Sequence, residues 1–194
     1  MQFSVDDRIG WTHLEAVGDD QCHANIPLGF TFTGFGANTT TVSLSSNGVL
    51  FFGQGCSAQL TNTQLPSGMS SNAFLAYFWD DLSDFGTGEY VQYATMGTAP
   101  GRVFNLFVRA RLWDTALCSS NTQQIMVSVH EGSNLVKAVY SGFSGCLAMR
   151  GSNATFGLQA AGGTTAQAVM VGLNVPLLDD NAPFQSMSFH PPPQ

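Results

Sequence analysis

QQIMVSVHEGSNLVKAVYSGF, residues 123–143, consists of two alternating runs either side of EGSN, a tetrapeptide of turn-forming residues. Alternation with a period of two marks half-buried strands, and two such runs about a short turn make a β-hairpin. Closing the hairpin at Glu131–Asn134 sets Ile125 opposite Tyr140, Val127 opposite Ala138 and Val129 opposite Val136, all apolar and on one face. The other face pairs Met126 with Val139, Ser128 with Lys137 and His130 with Leu135, a mixed and partly solvated set. A one-residue slip would send every side chain to the wrong face, so the sorting fixes the register. Cys118 and Cys146 fall beside each other just past the open end and are expected to form a disulfide, which leaves Cys22–Cys56 by elimination. The cysteines show no CxxC spacing, which argues against a zinc tetrathiolate, and both bonds require an oxidising compartment.

Outward from the hairpin, RVFNLFVRARLW (102–113) alternates over a longer span. Phe104, Leu106, Val108, Ala110 and Leu112 form a core face, while Phe107, Arg109, Arg111 and Trp113 form a stripe on the other. Either this stripe is an exposed recognition patch of aromatics beside arginines, or a second sheet or the N-terminal segment covers it. Further strands are expected at 26–32, 40–46, 48–53, 73–79, 89–96, 155–161, 168–173 and 186–190, separated by Gly-, Pro-, Asn- and Ser-rich turns. No stretch holds a 3.6-residue apolar period. The expected fold class is all-β, an antiparallel β-sandwich of jelly-roll or Greek-key type with long loops and two disulfides.

The chain has 194 residues, 44% of them hydrophobic and fifteen of them Phe, enough to bury one large core. Only 10% of residues are charged, with a net charge of −7 and one lysine, Lys137. That balance opposes nucleic-acid binding, which calls for a basic surface. Apolar runs such as AFLAYFW (73–79) are too short to span a bilayer. MQFSVDDRIG has neither a basic nor an apolar leader region, and HPPPQ (190–194) reads as the start of a stiff linker. The expectation is one domain over residues 1–190, with a Pro-rich linker or tail from 191, cut from a longer secreted or cell-surface chain.

SSNGVLFFG (45–53), AFLAYFWDDLSD (73–84), EYVQYATMGTAPGRVFNLFVRARLWD (89–114), IMVSVHEGSNLVKAVYSGF (125–143) and ATFGLQAAGG (154–163) follow one another in a familiar order. In this layout, over about residues 26–190, the chain resembles nidogen-like (NIDO-type) β domains and their relatives in bacterial secreted and surface proteins. SSNG and FWDDL are the most specific pair of motifs. The four cysteines and residues 1–25 depart from the pattern. The resemblance implies an extracellular all-β module of matrix, adhesion or surface proteins, with no established catalytic residues.

FWDDLSDFGTGEY (78–90) concentrates Asp80, Asp81, Asp84 and Glu89. Three readings fit. An Asp can cap the strand end by accepting backbone N–H bonds. Asp80, Asp81 and Asp84 can instead supply oxygens to a hard cation, for which calcium is the candidate, although the full EF-hand pattern is lacking. Two of Asp80, Asp84 and Glu89 can also serve as a glycosidase pair, for which Trp79 is the only neighbouring aromatic hint. SGFSG (141–145) is not a nucleophile elbow, and His13, His23, His130 and His190 form no metal or catalytic spacing.

The primary expectation is a non-enzymatic extracellular recognition or adhesion module. Trp79, Asp80, Asp84, Glu89, Phe107, Arg109, Arg111 and Trp113 are its candidate contacts with a glycan or protein on another cell or matrix surface. A structural or oligomerisation domain of a longer surface protein, forming a homo-oligomer, is the alternative. A secreted glycoside hydrolase is the third reading.

Overall fold

The computed structural model describes residues 8–14, 18–83, 90–113, 122–142, 146–163, 168–179, 182 and 184–192. Thirteen strands run in chain order: β1 Thr12–Leu14, β2 Cys22–Phe32, β3 Thr39–Ser45, β4 Val49–Phe52, β5 Phe74–Trp79, β6 Leu82–Ser83, β7 Tyr90–Met96, β8 Val103–Leu112, β9 Gln123–His130, β10 Val136–Ser141, β11 Thr155–Gln159, β12 Ala168–Leu173 and β13 Gln185–Phe189. One sheet has the order β1-β7-β8-β9-β10-β13, with β6 also pairing β8; the other has the order β12-β11-β5-β4-β3-β2. Every pairing is antiparallel. No α-helix occurs among the described residues.

The hairpin β9–β10 has the register its sequence dictates, with Ile125 opposite Tyr140, Val127 opposite Ala138 and Val129 opposite Val136. Those rows continue through β8, which sets Val108, Leu106 and Phe104 beside Ile125, Val127 and Val129. Together they form the inner face of the first sheet, packed against Leu44, Leu50, Leu75, Tyr77 and Phe156 of the second. Tyr140, wholly buried, donates its hydroxyl to the Tyr77 carbonyl across the sandwich at 2.7 Å, so its polar end is satisfied in the core.

The middle of the second sheet, formed by β4, β5 and β11, is buried on both faces. β5 reads FLAYFW without alternation and is buried throughout. Its outward residues Phe74, Ala76 and Trp79 join Val49 and Phe51 in a second apolar cluster with Leu65, from the long segment between β4 and β5. That segment roofs the sheet. Cys22–Cys56 ties the roof to the start of β2, with Cα atoms 6.0 Å apart and a sequence separation of 34. Closing such a loop stabilises the fold by about 2–4 kcal/mol, chiefly by restricting the unfolded chain. The described residues contain this one complete disulfide. Cys146 is oxidised, and Cys118, its expected partner, lies outside the described residues.

At one end of the sandwich the β7–β8 turn, the β9–β10 turn and β2 are clamped together. Arg102 grips both carboxylate oxygens of Glu131, at 2.8 and 2.6 Å, and also donates to the Gly29 carbonyl. The guanidinium holds the Glu131 carboxyl down at about 2. The opposite end carries the candidate site.

Candidate functional site

The two motifs SSNG and FWDD are physically one structure. Gly48 closes the β3–β4 turn at φ +75°, and a Cβ there would lie 1.8 Å from the Phe78 carbonyl oxygen, so only glycine fits. Its own carbonyl accepts the backbone N–H groups of Tyr77 and Phe78, each at 3.1 Å. Asn47 is wholly buried beside it and acts as a three-way bridge. Its Nδ2 donates to Asp20 Oδ1 at 2.7 Å and to the Ala58 carbonyl at 2.9 Å, while its Oδ1 accepts the Leu82 N–H at 3.2 Å. One amide thus joins the start of β2, the roof segment and the residues just after β5.

This frame sorts the expected site residues. Trp79 was expected to contact a ligand, but it is fully buried. Its indole N–H donates to the Gln59 carbonyl at 2.8 Å, and its ring meets Phe74 edge-on, so it anchors the roof. Asp80 caps its own turn, Oδ1 accepting the Asp81 N–H at 2.9 Å. It also lines an open cleft of about 370 Å³ with Leu60, Thr61, Asn62, Asp81, Ser152, Asn153 and Asn174. Burial is the main force raising the Asp80 carboxyl to about 7, with the neighbouring Asp81 charge acting in the same direction and the Asp81 N–H bond opposing. The Asn62 amide is held for the cleft by donating to Thr155 Oγ1 at 3.0 Å and to Asn174 Oδ1 at 2.8 Å.

Asp81, which also lines the cleft, belongs to a second group of carboxylates. Its carboxylate meets those of Asp19 and Asp20, one oxygen of each lying within 4.8 Å of the others. Burial and then the charges of Asp20 and Asp19 raise the Asp81 carboxyl. Three clustered carboxylates can share a proton or hold a hard cation such as Ca²⁺. Among the described residues the grouping that could hold a cation is therefore Asp19–Asp20–Asp81, and Asp80 is not in it. Asp84 and Glu89 lie outside the described residues.

The stripe on β8 divides. Phe107 is fully buried beneath the Arg8 guanidinium, which lies 3.7 Å from its ring centroid and donates to Gln92 Oε1 at 3.0 Å. The N-terminal segment covers the face at this point, so Phe107 is no exposed contact. Arg109 and Arg111 are half-buried, and Arg109 Nε donates to Thr122 Oγ1 at 3.3 Å. Trp113 is 55% exposed, and its backbone N–H donates to the Asp81 carbonyl at 3.0 Å. An open aromatic side chain therefore stands next to the acidic turn. Asp19, Asp20, Asn62, Asn153 and Asn174 were not anticipated. The adjacency of GDD (18–20) to Cys22, and of Cys22 to Cys56, was the one available hint for the first two.

The fold and this end of it define a disulfide-stapled, two-sheet β-sandwich whose loops carry a polar cleft beside an acidic corner. A family model described as NIDO related matches residues 6–190, and the chain belongs to that nidogen-related family, whose domains are non-enzymatic. The match takes in most of the N-terminal segment that the motif layout left unaligned. No curated protein and no solved structure matches the chain.

Proposed function

We propose that this chain is an extracellular, non-enzymatic recognition module that binds a glycan on a cell or matrix surface through the cleft beside Asp80. The observation that carries the reading is the composition of that cleft. Asp80, Asp81, Asn62, Asn153 and Asn174 bring carboxylate and amide groups to one concavity with the apolar Leu60. Carboxylates accept and amides both accept and donate, which suits vicinal hydroxyl groups, while the C–H face of a sugar packs on an apolar side chain. Trp113 extends the apolar contact available nearby. Family membership and the Cys22–Cys56 bond support an extracellular setting. In the same setting we place a second bond, Cys118–Cys146.

Calcium is part of the proposal, held by Asp19, Asp20 and Asp81 rather than by Asp80, Asp81 and Asp84. A cation there would relieve the mutual repulsion of the three carboxylates and stiffen the turn that presents Asp80. The test is a glycan array at millimolar Ca²⁺, comparing the native chain with Asp80→Ala and Asn153→Ala. Selective binding that both substitutions abolish is the expected result. Uniform silence, or binding indifferent to both, would discard the cleft as the binding site.

A further inference from the structure

We propose that the β12 edge is a self-association surface, at which two copies of the chain pair antiparallel and join their β12-edged sheets into one. Ala168–Leu173 ends its sheet, so one side of its backbone has no neighbouring strand among the described residues. Unpaired edge N–H and C=O groups are a template for another strand, and proteins ordinarily blunt them with charge, proline, bulges or brevity.

The other three edges carry such devices. β1 has three residues. β2 contains Pro27, Asn25 at φ +62° and two register shifts. β13 shows Ser186 and Ser188 to solvent and runs into His190-Pro191-Pro192. β12 carries one of them, a bulge where its register against β11 shifts and Val171 has no partner, but its six residues hold no charge and no proline. It reads AVMVGL and presents Val169, Met170 and Val171 at 56%, 42% and 42% exposure, with Val175 close behind. Three consecutive apolar side chains left open on an edge strand are costly unless covered.

A second copy is the occupant that the charge distribution favours. The chain carries −7 overall, so most faces repel their own kind, yet no charged residue or histidine occurs between Arg150 and Asp179. β12 lies inside that neutral stretch, so pairing it with itself brings no like charges together within the strand. The strand is also the kind of segment such an edge accepts: apolar, with the β-branched Val169 and Val171. A two-fold axis uses the same patch on both copies and closes the assembly at two. Beside the edge, Val171 lines a cavity of about 320 Å³ with Tyr140, Leu177, Leu178 and Met187 and the polar Gln185 and Ser186, which gives a partner side chain a mainly apolar seat.

The experiment is sedimentation velocity on the whole chain from micromolar to submillimolar concentration, without any glycan, so its outcome is separate from that of the cleft. A monomer–dimer equilibrium is expected, weakened at least tenfold by Val169→Lys and by Val171→Lys but not by Ser188→Lys on the β13 edge. Hydrogen exchange on the native chain should show the amides of residues 168–173 gaining protection as concentration rises. That measurement decides the matter if the lysine variants fail to fold. A monomer throughout, a dimer indifferent to both lysines, or amides whose exchange ignores concentration would each overturn the proposal.

Discussion

Asn47→Ala should cost far more than the loss of one polar side chain suggests. The substitution removes three hydrogen bonds at once and leaves the Leu82 N–H without its partner in a buried site. A buried donor stripped of its acceptor costs about 1–3 kcal/mol, a neutral hydrogen bond about 1 kcal/mol, and one to a carboxylate about 1.5–3 kcal/mol. The Ala58 carbonyl is partly buried and Asp20 is exposed, so both recover part of their loss from water. The total is about 3–4 kcal/mol, or roughly 10 °C in Tm for a domain of this size. Urea unfolding of the native and variant chains measures it directly. Asn47→Asp sharpens the test: it keeps the acceptor for Leu82 but sets a carboxylate against Asp20, so at neutral pH it should be worse than alanine and recover as the pH falls. An alanine variant within 1 kcal/mol of the native chain, or an aspartate variant as stable as native at pH 7, would refute the bridging role.

Gly48→Ala should leave little or no folded protein, because the added carbon would overlap the Phe78 carbonyl; soluble expression and circular dichroism report it, and a native-like melt would contradict the geometry. Millimolar Ca²⁺ should raise Tm, as any ligand of the folded state does, and Asp81→Asn should abolish the rise. An increase that survives the substitution would move the cation elsewhere. The Asp80 carboxyl sits at about 7 in the folded chain against 3.8 for the unfolded one, so between those values the folded state holds the extra proton. Its contribution therefore makes stability fall as pH rises from about 4 to about 7. Asp80→Asn should flatten that slope and stabilise the protein at pH 8, and a variant slope equal to the native one would exclude Asp80 as its source. Peptide mapping without reduction should recover Cys118 linked to Cys146, and a free thiol at either position would remove that bond.

The hairpin was legible because its information is local: each apolar residue on β9 has an apolar partner on β10 within a few positions of the turn. The same holds for the inner face of β8. The candidate site was legible only in part. Asp80 and Asp81 stood out as a pair, but the carboxylates that join Asp81 come from some sixty residues earlier in the chain, brought there by the β2–β3–β4–β5 order. Trp79 was misjudged because its cover is an irregular segment, residues 53–73, whose packing leaves no periodic trace. The unalternating AFLAYFW was the available sign, since a strand apolar on both sides must have both sides covered. Phe107 was likewise open in the alternation and closed in space, because Arg8 reaches it from a segment that is not periodic at all.

The Cys22–Cys56 crosslink also bears on how the molecule would behave under tension. A chain drawn out by its two ends can unravel only outside the covalent loop, so the stretch it encloses, a sequence separation of 34, contributes nothing to the extended length. At about 3.4 Å per residue, less the 6.0 Å spanned by the crosslink itself, the fully stretched tether is shorter by roughly 110 Å than that of the reduced chain. β3 and β4 lie wholly within the loop, so the pull does not reach them and their strands stay tethered close together for re-pairing once the load is released.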